Sequence, residues 1–233
     1  MKISASRSVL WMTLCLLPLA ALANGGGSMP SSSPEPMRQM TPAEMARSAY
    51  NDGVRLVKKG QKYEESAASA TKDEKKAKAL EQAGKQFEKA RQYFAGAVSK
   101  QPGMYEAWNY IGYTSRKIGE YDKALAAYEE ALRLKPDYNE AIEYRGEAYL
   151  GLNRLEDAKQ AYMSLFASAR PLADELMAAM QRWVTARRAD SAGVAAADLD
   201  TFAQWINERA TIAQQTASLG IGSPVARQAA NWK

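Results

Sequence analysis

The side chains available for chemistry here are carboxylates, amines, guanidinium groups and hydroxyls, because the 233 residues contain no histidine and a single cysteine, Cys15. Without histidine, the commonest general base at neutral pH and the commonest ligand of transition metals are both missing. Lys-assisted serine chemistry or a pair of carboxylates remains formally open. The Ser, Lys and Glu residues nevertheless fall at ordinary solvated positions of helical stretches, with no base beside a nucleophile. The sequence thus points to no catalytic, cofactor-binding or metal-ligating residue. A hydrolase remains a distant alternative. Among the charged groups, Glu140, Glu143 and Glu147 share one stripe of a helix by their spacing, and Arg116 and Lys117 lie one element earlier.

The ends of the chain bear on where such a protein would work. Lys2 and Arg7 precede an uncharged apolar run from Val9 to Ala23 that closes with Ala21-Leu22-Ala23, the pattern of a signal peptide (1–23) cleaved near Ala23. The run is interrupted by Pro18 and is shorter than the ~20 apolar residues a membrane span needs. Leu14, before Cys15, stands where a lipid-attachment motif wants a small residue. The expectation is a periplasmic or secreted protein with no lipid anchor and no membrane span after cleavage. Losing Cys15 would leave the mature chain without a thiol. Losing Lys2 and Arg7 lowers the formal charge of +5 by two. The remaining charges are interspersed, which gives no electrostatic footprint for nucleic acid.

Residues 24–41 are Gly, Ser, Pro and Met with few apolar anchors and read as a flexible linker. Thr41, Pro42 and Glu44 then form a helix start: an N-cap, a proline in the first turn and the acidic member of a capping box. Further along, residues 105–138 and 139–172 align at a period of 34. Gly112 falls on Gly146, Ala124 on Ala158, Tyr128 on Tyr162, and Lys135-Pro136 on Ala169-Arg170, with Pro171 one place late. One period back, Ala90, Phe94, Ala97 and Pro102 lie under Ala124, Tyr128, Ala131 and Pro136.

Trp108, Ile111, Gly112, Gly119, Tyr121, Ala124, Tyr128, Ala131 and Pro136 together resemble the tetratricopeptide-repeat signature. The copy from 139 to 172 is weaker, with Ile142 for the tryptophan, Arg145 before Gly146, and Asn153 for the turn glycine. The resemblance implies an all-α fold: a right-handed α-solenoid of about three helical hairpins with C-terminal capping helices. Gly112 and Gly146 would sit where two antiparallel helices approach most closely, with Ala124, Ala131 and Ala158 as small partners, and Trp108, Tyr128 and Tyr162 as packing residues. Pro136 would end the second helix of its hairpin.

The first unit (42–104) departs from the period. Tyr50, Gly53, Leu56, Val57 and Gly60 read as its first helix, yet the expected partner around Phe87, Ala90 and Phe94 comes about 25 residues late for a 34-residue repeat. The stretch from Tyr63 to Gln86 is rich in Ala, Glu and Lys. It reads as a long charged helix inserted ahead of Phe87–Lys100 and projecting past the solenoid, with a break available at Ser69–Asp73. After Pro171, Leu172, Leu176, Met180 and Trp183 mark a capping helix (173–190). Leu199, Phe202, Trp205, Ile206 and Ile212 mark a C-terminal helix (191–219) that packs on its own chain or on another, and a disordered tail follows (220–233).

The resemblance also implies where a partner would lie, since the first helices of successive repeats line the concave groove. It assigns Arg47, Tyr50, Val54, Val57 and Lys58 from the first unit, Glu106, Asn109, Tyr113, Arg116 and Lys117 from the second, and Glu140, Glu143, Glu147 and Leu150 from the third. The carboxylate clamp of some family members is not supplied, because Asn109 and Tyr113, then Glu140 and Tyr144, stand at its positions. What remains is a bipolar groove, basic at Arg116 and Lys117 and acidic along the glutamate stripe, or simply a solvated face. Tyr50 and Tyr113 are either interface anchors or packing residues, and Tyr149 is assigned to the core. The implied role is an adaptor or scaffold for a protein or peptide partner, and homo-oligomerisation is the structural alternative.

Overall fold

A computed structural model describes residues 39–218. Among these, eight helices follow one another: α1 (Pro42–Ala68), α2 (Asp73–Lys100), α3 (Tyr105–Lys117), α4 (Tyr121–Leu134), α5 (Asn139–Gly151), α6 (Leu155–Ser168), α7 (Arg170–Ala189) and α8 (Ala196–Ser218). The signal peptide, most of the linker and the C-terminal tail lie outside the described residues.

The start of α1 is built as the sequence reading expects. Thr41 Oγ1 accepts from the Glu44 N–H at 3.2 Å, and the Thr41 N–H donates to Glu44 Oε2 at 2.8 Å. The first hairpin is organised differently from the expectation. Its extra residues do not make one helix inserted before Phe87. They are divided between the two arms at Ser69–Lys72, so that α1 has 27 residues and α2 has 28, against 13 and 14 in the hairpins that follow. At 1.5 Å per residue each arm is about 40 Å long, roughly twice an ordinary repeat helix.

Small residues at every seventh position hold these arms together. Ala46, Gly53, Gly60 and Ala67 are buried along α1, and Ala83, Ala90 and Ala97 along α2. A repeat of seven keeps one stripe of a helix facing the same partner over many turns. Phe87 and Phe94, also seven apart, fill the space above the glycines. A Cβ on Gly53 would stand 2.7 Å from the Phe94 ring, and one on Gly60 would stand 2.6 Å from the Phe87 ring. The far tip, from Thr71 to Lys78, is exposed throughout.

The middle hairpins follow the 34-residue period. Gly119 takes a φ of +83° in the α3–α4 turn, and Asn153 takes +57° at the matching place between α5 and α6. Asparagine is among the few residues that adopt this left-handed conformation readily, so the weaker repeat keeps the same turn without its glycine. Gly112 has the aromatic ring of Tyr128 against it, with 2.4 Å left for a Cβ. Gly146 departs from the expected role: its nearest neighbours are Leu176 of α7 and Ala161, not the Ala158 crossing. Tyr162 consequently turns to Phe166 and Trp205 instead of a glycine. Ala124, Ala131, Ala158 and Tyr128 are fully buried, and exposed Pro136 follows the end of α4.

The core has two sections. One lies within the first hairpin and under α3, and the other runs from α4 to α8; Trp108 and Tyr144 pack against both. Trp108 Nε1 also donates to the Pro102 carbonyl at 2.9 Å, which fits its assignment to packing. Arg91 pairs with Glu120 and joins the first hairpin to the second. At the other end, α8 packs on its own chain. Phe202 is 1% exposed, sits edge-on to Trp183 and is stacked with Trp205, and Arg170 donates to the Ala213 carbonyl at 2.8 Å. No helix among the described residues is long and apolar enough to cross a membrane.

Candidate functional site

The first helices α1, α3, α5 and α7 are linked in sequence across one side of the molecule. Helix α3 packs on α5, and α5 packs on α7. The C-terminal half of α1 is tied to α3 by two contacts: Gln61 Nε2 donates to Tyr113 Oη at 3.1 Å, and Lys117 Nζ pairs with Glu64 at 2.6 Å. All four helices contribute to a cavity of about 330 Å³, whose walls include Glu64, Arg116, Lys117, Glu147, Arg182 and Arg187. Its floor is kept open by small residues, Ala179 and Gly151; a side chain at Gly151 would run into the Tyr121 ring at 2.3 Å.

Several residues expected to face a partner are instead inside the protein. Tyr113 is 7% exposed, with Phe87 edge-on to its ring at 6.1 Å and Tyr144 tilted against it at 5.3 Å. Asn109 is 3% exposed, its amide reaches Tyr138 Oη only at 3.5 Å, and its Oδ1 has no donor. Tyr50 is half-buried between Phe94 and Tyr110, and burial pushes its hydroxyl up to about 12. Val57 and Leu150 are buried and Val54 is half-buried against the first core section. Tyr149 is in the core as assigned. Glu140, Lys58 and Arg47 remain exposed, and Glu106 is half-exposed.

Of the expected bipolar groove, Arg116, Lys117 and Glu147 are paired within the chain. Arg116 pairs with Glu147 across α3 and α5 and lies 5.5 Å and 5.4 Å from the Tyr113 and Tyr144 rings. Lys117 is engaged by Glu64 and lies 5.6 Å from the Phe87 ring. Glu143 does not face a groove at all: it is 2% exposed, and its Oε2 has no donor. Burial raises its carboxyl to about 7, against the pull of Arg116 and Arg182 toward the charged form. Burial likewise raises Tyr144 to about 12, and raises Tyr110 and Tyr113.

The structure thus gathers Tyr113, Arg116, Lys117 and Glu147 at one place and leaves Glu140, Val54 and Lys58 apart from it. Sequence reasoning misses Gln61 and Glu64: Glu64 lies in the stretch read as insertion, and Gln61 lies just ahead of it, past the last residue assigned to the first helix. It also misses Arg182 and Arg187, which share a face of α7 with Ala179 and Trp183 at helical spacing and were legible as a basic edge on the capping helix. No group of three or more His, Cys, Asp or Glu among the described residues could hold a metal ion.

Comparison with known proteins agrees with this architecture. A tetratricopeptide-repeat family model matches residues 74–139 and 115–174. Solved structures similar to the chain include the TPR2B domain of yeast Sti1 in a complex with pHsp70, at 10% identity and a TM-score of 0.38, covering 71% of this chain and 98% of that one. The first TPR of Spaghetti (RPAP3) bound to the HSP90 peptide SRMEEVD is 19% identical, with a TM-score of 0.36 and coverage of 57% and 94%. A MamA RS-1 ArsTM double mutant is 21% identical, with a TM-score of 0.35 and coverage of 71% and 96%. With the match over residues 74–174, the 34-residue period and the hairpins that realise it, the chain contains tetratricopeptide repeats across that stretch.

Proposed function

We propose that this protein is an exported, non-catalytic scaffold that holds a peptide or a partner protein against the α1, α3, α5 and α7 face. The observation that carries the reading is the cavity to which all four of those helices contribute, lined by charged side chains and Trp183. A repeat stack offers a partner a surface spread over several units, and charged and aromatic groups on it supply specificity and anchoring. Export is supported by the basic start, the apolar run and the Ala21-Leu22-Ala23 ending, and the compartment proposed is the periplasm or the cell exterior. The sequence contains no histidine, and no nucleophile has a base beside it, which supports a binding role over a catalytic one.

The test is site-specific photo-crosslinking in the native envelope. A crosslinking amino acid at position 182, in the cavity wall, is compared with one at position 133, on the exposed side of α4. Mass spectrometry should find a defined adduct from position 182 and none from position 133. Equal labelling at the two positions, or none at 182, refutes the assignment of this face. The mass of the recovered protein also checks export, since a chain beginning at Met1 contradicts cleavage near Ala23.

A further inference from the structure

The cavity holds more positive charge than the protein itself neutralises. Its two carboxylates are both engaged, Glu147 by Arg116 and Glu64 by Lys117. Arg182 and Arg187, five residues apart on α7, form no ion pair with any carboxylate among the described residues. Arg187 lies 5.4 Å from the Trp183 ring instead. Glu143, the nearby carboxyl that could answer Arg182, is buried, and burial raises it to about 7. Three N–H groups of the lining residues, Arg116 Nε, Arg187 Nε and Trp183 Nε1, are buried with no acceptor. Buried donors are nearly always satisfied, and these three belong to residues that line one cavity.

We propose that this cavity takes the carboxylate side chains of an acidic segment of a partner protein, with Arg182 and Arg187 as the pairing cations and Trp183 as the apolar wall beside them. This rests on reading the α1, α3, α5 and α7 face as a protein-binding surface. Guanidinium groups meet carboxylates through two parallel hydrogen bonds, a geometry that a planar carboxylate completes. Glu64 and Glu147 interrupt the positive charge, so the cavity offers separated cationic spots. Single negative charges spaced along a chain match that pattern better than one concentrated dianion. Tyr121 gives the aliphatic stem of a glutamate something apolar to lie on.

The experiment uses the mature chain from Asn24 and a fluorescein-labelled hexaglutamate with its C-terminus amidated, so that only side-chain carboxylates are offered. Hexaglutamine and inorganic phosphate serve as competitors, and binding is read by anisotropy at two salt concentrations. Hexaglutamate should bind and weaken with salt, hexaglutamine should not compete, and the Arg182→Gln/Arg187→Gln double variant should bind about tenfold or more weakly. Arg133→Gln, on α4 away from the cavity, should bind as the parent does, and circular dichroism should show both variants folded. Unchanged affinity in the double variant overturns the proposal, as does inorganic phosphate displacing the bound hexaglutamate beyond the effect of chloride at equal ionic strength. If hexaglutamate does not bind while crosslinking from position 182 still yields a defined partner, the acidic occupant is wrong and the binding face stands. Failure of the crosslink removes the face itself.

Discussion

Adding one methyl group to α1 tests the packing between the two long helices. A Cβ on Gly60 would lie 2.6 Å from Phe87 Cε1, 2.8 Å from Cζ and 3.0 Å from Cδ1. Carbon atoms rest at about 3.5–4.0 Å, so the ring or the helix must retreat by about 1 Å. The Phe87 ring has nowhere easy to go, being 1% exposed with Tyr113 edge-on to it and Lys117 nearby. Overpacking of this kind costs about 1–3 kcal/mol. Against it stands the helix preference for alanine over glycine, about 1 kcal/mol. With three ring atoms inside contact distance the steric cost falls at the upper end, about 3 kcal/mol, and Gly60→Ala should destabilise by about 2 kcal/mol net.

Gly84 provides the control on the same hairpin, since a Cβ there meets nothing within 4 Å. Gly84→Ala should therefore stabilise by about 1 kcal/mol. The two variants should differ by about 3 kcal/mol, or about 6–12 °C in melting midpoint for a fold of this size, read by circular dichroism at the helical minimum. Phe87→Leu in the Gly60→Ala background should cost less than the two changes taken separately, because the smaller side chain makes room for the methyl group. If Gly60→Ala melts at or above Gly84→Ala, the two long helices do not approach as closely as described, and the seven-residue stripe is not what joins them.

Two further outcomes follow from burial. Glu143 is raised from near 4.5 to about 7 in the folded protein, so folding favours its neutral form. Its stabilising contribution is fully present below about 4.5 and is lost as pH rises through about 7. Glu143→Gln should thus leave the urea midpoint nearly unchanged at pH 4.5 and raise it at pH 8; an equal effect at both pH values contradicts the burial of a charge there. Tyr113→Ala should destabilise by about 3 kcal/mol or more, as a large buried ring is removed. A Tyr113→Ala variant with an unchanged melting midpoint would show that this residue faces a groove after all.

Where the sequence is legible, the reason is repetition. Gly112, Tyr128 and Pro136 recur 34 residues apart in recognisable form, and Asn153 can replace a turn glycine because it tolerates the same backbone. The capping box at Thr41 is equally readable, since its chemistry is contained in four consecutive residues. The division of the extra residues between α1 and α2 is not visible to a search for apolar periodicity, because what joins those arms is Ala46, Gly53, Gly60 and Ala67, residues with almost no hydrophobic signal. Only their seven-residue interval carries the information.

The misplacement of the binding residues has the same physical origin. Position within a repeat sets the direction in which Tyr113 and Lys117 point, but whether they reach solvent depends on what lies in front of them. What lies there is the part of α1 beyond Gly60, which brings Gln61 to the Tyr113 hydroxyl and Glu64 to the Lys117 amine. A first helix of 13 residues starting at Pro42 would end near Val54 and leave both groups uncovered. The extension therefore does more than lengthen a hairpin. It closes the N-terminal part of the repeat face over its own tyrosines and displaces the uncompensated positive charge toward α7. On this argument Glu64→Ala should free Lys117 and strengthen hexaglutamate binding, whereas weaker binding would show that α1 is itself part of the surface the acidic segment grips.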